Sequence, residues 1–254
     1  MAVESQTRLQ LCGRFLVELE GRRLEAALPG RQGRLLLGFL VANRHRPSGR
    51  SRLVEALWPQ GTPAAADAAL SALLSKLRSI LGADFLETKG EVRLVLPADA
   101  WIDLEAASEG LHRAESAVAL GEWARAWGPS RVALHIATRE FMTGFDVPWV
   151  VEIRRHLDDV RLRAHECVAA IGLGLGGPEL ASAERSARAL VATAPFRETG
   201  YGFLMEALAA RGNVAEALVV YDRLRRLLRD ELGIAPGQAS QELHKRLLGV
   251  RTRA

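Results

Sequence analysis

The chain has 254 residues, 48% apolar and 25% charged, which suits globular domains with sizeable cores and excludes a disordered chain. No apolar run is long enough to cross a bilayer as a helix, so no membrane partner is expected. Thirty-four basic residues against thirty acidic ones leave +4, an excess too small to announce a polyanion by itself. All the bases but Lys76, Lys89 and Lys245 are arginines, and the 6% aromatic content means that the cores rest on Leu, Val and Ala. Glu4 and Arg8 stand in an opening segment without an apolar run, so no signal peptide is expected. Cys12 and Cys167, far apart, fit reduced buried thiols and a cytoplasmic location.

The opening residues alternate. Leu9 and Leu11, then Phe15, Val17 and Leu19, face one way with polar residues between them, and Gly13 and Gly21 punctuate short antiparallel strands. From Arg31 the period becomes helical through Leu36, Phe39, Leu40 and Asn43, ending before Pro47. A second short helix is capped by Ser51, turns Leu53, Val54 and Leu57 inward, and stops at Pro59. A third opens after Pro63 with Leu70, Leu73, Leu74, Leu77 and Leu81 as its stripe, and Gly82 closes it. Phe85 and Leu86, a turn at Lys89-Gly90, and alternating Val92, Leu94 and Leu96 make a hairpin. Strands, three helices and a hairpin in this order are the layout of a winged helix-turn-helix, whose last helix enters the major groove. Residues 31–52 hold Arg31, Arg34, Arg44, Arg46, Arg50 and Arg52 and no acid, a window able to follow a phosphate backbone.

Residues 97–103 form the expected joint, with Asp103 capping the next helix. Beyond it helical patterns run over 104–120, 122–141, 152–171, 179–194, 197–211, 213–232 and 238–248. The breakers between them are Gly128-Pro129, Pro148, Gly176-Gly177-Pro178, Pro195, Gly212-Asn213 and Pro236. Paired Ala-rich helices of this length predict tetratricopeptide-like hairpins, clearest over 199–232 with Tyr201, Leu204, Leu208, Ala217, Leu218 and Tyr221. Charges here alternate in sign along helix faces, as in Asp222, Arg226 and Asp230, and read as a solvated surface. The expected fold class is therefore mainly α. An N-terminal winged helix-turn-helix over residues 1–100 is followed by an all-α helical repeat domain over 101–254. The charged tail at 251–254 is expected to fray.

Residues 31–82, with Leu53-Val54-Glu55-Ala56-Leu57-Trp58 and Leu73-Leu74-Ser75-Lys76-Leu77-Arg78, resemble the DNA-binding domain of the Streptomyces antibiotic regulatory protein family. Their bacterial transcriptional activator domain is resembled by Ala194-Pro195-Phe196-Arg197-Glu198, Leu204-Met205-Glu206-Ala207-Leu208 and Gly212-Asn213-Val214-Ala215-Glu216-Ala217-Leu218. Tyr221, the run Asp230-Glu231-Leu232-Gly233-Ile234-Ala235-Pro236, and Trp149, Glu152, Arg154 and Leu157 fit the pattern too. The resemblance implies an OmpR-type winged helix without a receiver, joined to a three-repeat helical domain. It implies a transcription activator at short direct repeats of promoter DNA, contacting RNA polymerase holoenzyme. It also implies a homodimer or tandem copies on the duplex, at the nucleoid. Larger members append an ATPase module, and this sequence holds no G-x-x-x-x-G-K-[ST].

On that layout the expected DNA contacts are Ser71, Ser75, Lys76 and Arg78 on the third helix, Lys89 and Arg93 on the hairpin, and Arg50 and Arg52 at the start of the second helix. Of the serines, Ser75 matches the family motif and Ser71 does not. Trp58 is expected to pack. The chain departs from the family at Asp67, Ala69 and Leu73, where basic or amide, hydroxyl, and aromatic or His groups are usual. Guanine reading needs Arg or Lys, so base readout is expected to be modest, with weight on backbone contacts and DNA shape. The same departures support a second reading, an adaptor whose repeats bind a protein or small effector and whose winged helix has lost specific DNA binding. Gly172-Leu173-Gly174-Leu175-Gly176-Gly177 spells G-x-G-x-x-G but follows a helix, and reads as an inter-repeat turn rather than a dinucleotide site. The six histidines lack zinc-site spacing and no G-x-S-x-G occurs, so no metal, cofactor or catalytic residue is expected.

Overall fold

The structure, a computed structural model, describes residues 7–250. The tail at 251–254 and Glu4 lie outside the described residues. The N-terminal part runs β1 (Arg8–Gln10), β2 (Leu16–Leu19), β3 (Arg22–Arg23), α1 (Gly30–Ala42), α2 (Arg50–Leu57), α3 (Ala66–Leu81), β4 (Leu86–Glu87), β5 (Arg93–Leu94) and β6 (Trp101–Ile102). Seven helices follow: α4 (Asp103–Ala119), α5 (Trp123–Ala137), α6 (Pro148–Leu175), α7 (Leu180–Thr193), α8 (Glu198–Ala210), α9 (Val214–Leu232) and α10 (Gln238–Val250). This is a winged helix-turn-helix followed by helical repeats, mainly α as the sequence pattern predicts.

The chain forms two compact units, Met1–Ala106 with Ile136–Asp158, and Ala107–His135 with Asp159–Ala254. In the first, a sheet of order β3-β2-β1-β6 has antiparallel β1/β2 and β2/β3 pairs, while β6 joins β1 in parallel. Alternation places Leu9, Val17 and Leu19 inside, and α1 is apolar on most of its circumference because it is covered on most sides. The hairpin pairs Leu86 with Leu94 and Glu87 with Arg93. Paired backbone bonds of 2.9 Å between Ser48 and Val92 tie the loop before α2 to this wing.

The division expected at residue 100 differs from these units for a physical reason. The expected joint contains β6, and Asp103 is fully buried rather than a simple cap: Oδ2 accepts the Leu11 and Cys12 N–H groups at 2.8 and 2.7 Å. Oδ1 accepts from its own neighbour Leu104 at 2.9 Å. Arg44 holds Glu105 through both carboxylate oxygens. The returning segment then completes the core. Cys12 bridges to Phe141, Trp149 packs edge-on against Phe39 at 5.3 Å, and its Nε1 donates to the Ala56 carbonyl at 3.2 Å. A Cβ on Gly38 would stand 2.3 Å from Met142 Sδ, so α1 needs glycine there. Arg154 binds the carbonyls of Phe141, Met142 and Phe145 and pairs with Glu140 and Asp146.

In the second unit, Ala187, Val191, Tyr201, Leu204, Leu208, Ala217, Tyr221 and Leu224 form one core shared by α7, α8 and α9, closed by Leu243 and Leu247 of α10. Bidentate pairs Arg163–Glu115 and Arg197–Glu166 link helices. Three local expectations change. Ser51 is not the cap of α2, since Gly49 holds that position with extended dihedrals. Gly128-Pro129 does not break a helix: Pro129 lies inside α5, where its carbonyl faces Gly110 across a gap that a Cβ would narrow to 3.0 Å. Gly172 and Gly174 continue α6, and only Gly176 and Gly177 turn the chain, with φ of 70° and 52°. A Cβ on Gly174 would stand 2.3 Å from the Trp123 ring, so close packing, not a turn, requires that glycine. Cys167 is buried and its thiol is pushed up to about 12 by burial, then by Glu115 and Glu166.

Burial raises the Asp103 carboxyl above its ordinary value of 3.8 although backbone N–H groups oppose the shift. The fold therefore holds this proton more tightly than the unfolded chain does. The contribution of Asp103 is fully present below pH 3.8 and declines as pH rises through its folded value. Asp103→Ala, which strands two buried donors, is expected to cost about 2–4 kcal/mol in urea unfolding. Asp103→Asn keeps an acceptor, and the stability difference from wild type should shrink as pH rises through that window.

Candidate nucleic-acid interface

The third helix buries Ala66, Leu70, Leu74, Leu77 and Leu81, which turns the opposite side outward by helical geometry. Asp67, Ser71, Ser75 and Arg78 follow one exposed line, with Lys76 one step around the helix. Ala69 and Leu73 are half-buried on the shoulder beside the core stripe. Their apolar character suits that position, so of the three departures from the family pattern only Asp67 lies fully outward.

The expected contacts fall into two groups. Ser75, Lys76, Lys89 and Arg93 are exposed and, among the described residues, have no ion-pair or hydrogen-bond partner. Lys89 stands in the wing turn beside Gly90, whose φ of 81° permits that turn. The remaining four are engaged. Arg78 Nε donates to the Leu86 carbonyl at 3.3 Å, tying α3 to β4. Arg52 donates to Asn43 Oδ1 at 3.0 Å and lies 5.5 Å above the Phe39 ring, so it braces α1 as well as facing solvent. Arg50 and Ser71 bond to each other at 2.8 Å. Trp58 is half-buried at the end of α2.

Charge is unevenly spread over this surface. Along the wing Glu87 and Glu91 alternate with Lys89 and Arg93, whereas residues 46–81 hold Arg46, Arg50, Arg52, Lys76 and Arg78 against Glu55 and Asp67. Positive charge therefore prevails along the stretch from the loop before α2 through α3. Sequence pattern does not register that Arg50 and Arg52 are held by side chains of neighbouring helices, because such ties follow tertiary packing. Among the described residues no three His, Cys, Asp or Glu side chains gather as a metal site requires, and no helix is long and apolar enough to cross a membrane.

A winged helix with an outward third helix, linked to helical repeats, is the architecture of a bacterial regulator. Residues 102–248 match the bacterial transcriptional activator domain. The chain is 34% identical over 230 residues to the regulatory protein AfsR of Streptomyces coelicolor, covering 90% of this chain and 23% of that protein. It is 28% identical over 254 residues to the transcriptional regulatory protein EmbR of Mycobacterium tuberculosis, covering 97% and 64%. The solved structure of Mycobacterium tuberculosis EmbR in complex with a low affinity phosphopeptide superposes with a TM-score of 0.82 at 25% identity, covering 97% of this chain and 65% of that one. The chain thus spans 23% of AfsR and just under two thirds of EmbR, at 64%. It belongs to the Streptomyces antibiotic regulatory protein family and carries the bacterial transcriptional activator domain. AfsR is a regulatory protein and EmbR a transcriptional regulatory protein.

The engaged and free cations should separate in stability measurements. Arg52→Ala is expected to destabilise by about 0.5–1.5 kcal/mol through its lost Asn43 bond and ring contact. Lys76→Ala should stay within about 0.5 kcal/mol of wild type in the same urea titration.

Proposed function

We propose that the protein is a DNA-binding transcription activator that works in the cytoplasm, at the nucleoid. The third helix lies in the major groove of promoter DNA, the wing lies beside the backbone, and the helical repeats pair copies of the chain and contact RNA polymerase holoenzyme. The observation that carries this reading is the outward face of α3, where Ser75, Lys76 and Arg78 project from a helix whose other side is locked into the core. Arg50, Arg52 and the unpaired wing cations Lys89 and Arg93 border it. Two copies on neighbouring direct repeats reinforce one another through effective concentration, which offsets modest base readout by a single α3.

A specific feature favours a second reading, the effector- or protein-binding adaptor. A groove of about 620 Å³ runs between α8 and α10, floored by Phe203 and Leu243 and flanked by Glu198, Glu206, Glu242 and Arg246. Gel-shift titration over a salt series, on the promoter region upstream of the protein's own gene and on random duplex, separates the two. The activator reading expects preference for the promoter and a log–log salt slope that falls by about 0.9 for each phosphate contact removed in Lys76→Ala and Arg78→Ala. Equal binding of both duplexes, or unchanged affinity and slope in the variants, would favour the adaptor.

A further inference from the structure

Pattern alone leaves α3 with two long donors, Lys76 and Arg78, and with an acid, Asp67, on a face meant for a polyanion. A third long donor lies on α3 without belonging to it. Arg50, the first residue of α2, lays its guanidinium along the first turns of α3. Its Nη2 donates to Ser71 Oγ at 2.8 Å and to the Asp67 carbonyl at 3.1 Å, and its Nε lies 3.9 Å from Asp67 Oδ1. Ser71 Oγ donates in turn to the same carbonyl at 2.8 Å. Nη1 has no partner among the described residues. The Arg50 side chain stays 41% exposed and that of Asp67 86%, so this end of the cluster is open to a ligand.

A phosphate contact needs only a cation within reach, and a mobile side chain serves. A guanidinium held in place by three atoms of the recognition helix is of a different kind, because its orientation is set before any duplex arrives. It lies at the N-terminal turns of that helix, the part that meets base edges in helix-turn-helix docking. Guanine presents N7 and O6 as adjacent acceptors, whereas adenine and thymine each present one acceptor beside a donor or a methyl group. On the DNA-binding reading above, we infer that Arg50 is a specificity-determining residue donating through Nη1 to a guanine edge in the major groove, with Asp67 and Ser71 as the positioning residues that hold it. Asp67 then has a task on a DNA-facing helix: its carboxylate keeps the guanidinium from swinging out to the nearest phosphate.

Selection from a randomised duplex pool with the full chain, followed by titration of the selected half-site, tests the assignment. One guanine per half-site should respond to replacement by 7-deazaguanine, which lacks the N7 acceptor, with a loss of about fivefold or more for wild type and no further loss for Arg50→Ala. Arg50→Lys should keep the salt slope while losing about tenfold preference at that base pair. Asp67→Asn should bind random duplex more tightly, having shed a negative charge, yet discriminate less at the same guanine. The inference is overturned if Arg50→Ala weakens binding equally on all sequences and lowers the salt slope by about 0.9, which marks a phosphate contact. If wild type enriches no sequence, the DNA-binding reading itself falls, and the base assignment with it.

Discussion

The first unit depends on one buried carboxylate. Asp103 sits at the start of α4 yet satisfies the amides of Leu11 and Cys12, some ninety residues earlier, with no solvent contact. Those donors lie where β1 runs out, next to its parallel pairing with β6, so without Asp103 the end of the strand would carry uncompensated polar groups in the core. The same stretch of chain then meets Phe141, and from that bridge follow Trp149 against Phe39 and the Arg154 cluster. A polar anchor among Leu, Val and aromatic side chains adds a directional constraint to the register that their burial already favours.

Once that core is fixed, the outward side of α3 becomes a composite surface. Its cations differ in freedom: some project freely, one is tied to the wing, and others are braced by neighbouring helices. Net charge cannot express this, since +4 over 254 residues is small while the region before and along α3 has few compensating acids. The wing, with acids interleaved among its bases, contributes shape more than field. The affinity of such a surface for a polyanion depends on where each positive charge is held as well as on how many there are.

Much of the fold was readable because its signals are local. Alternation at Leu9, Val17 and Leu19, the Leu70–Leu81 stripe and the Lys89-Gly90 turn each report backbone geometry within a few residues. The failures share another origin. Pro129 inside α5 and Gly172 and Gly174 inside α6 look like breakers, yet the helices run on, with Gly172 packed against Glu179 and Ala183 and Gly174 against the Trp123 ring. The return of residues 136–158 to the first unit was not readable from periodicity, although Trp149, Arg154 and Leu157 were already conspicuous as carriers of the family resemblance. Their partners, such as Ala56 for Trp149, are remote in sequence. For the candidate interface, residue types and faces were legible, while the tether between Arg50 and Ser71 was not.

The late contribution of residues 136–158 has a bearing on how the protein is made. A ribosome that has just released the wing has not yet supplied the strip that covers Phe39 and fills the space left by Gly38. At about 5–20 residues per second, the gap between Ala106 and Asp158 means roughly 3–10 s during which the nascent N-terminal half exposes an unfinished apolar face. The first half of the chain thus matures only after part of the second has been synthesised. The N-terminal unit reaches its final form only when Asp158 has been made, while the repeats beyond that residue are still to come.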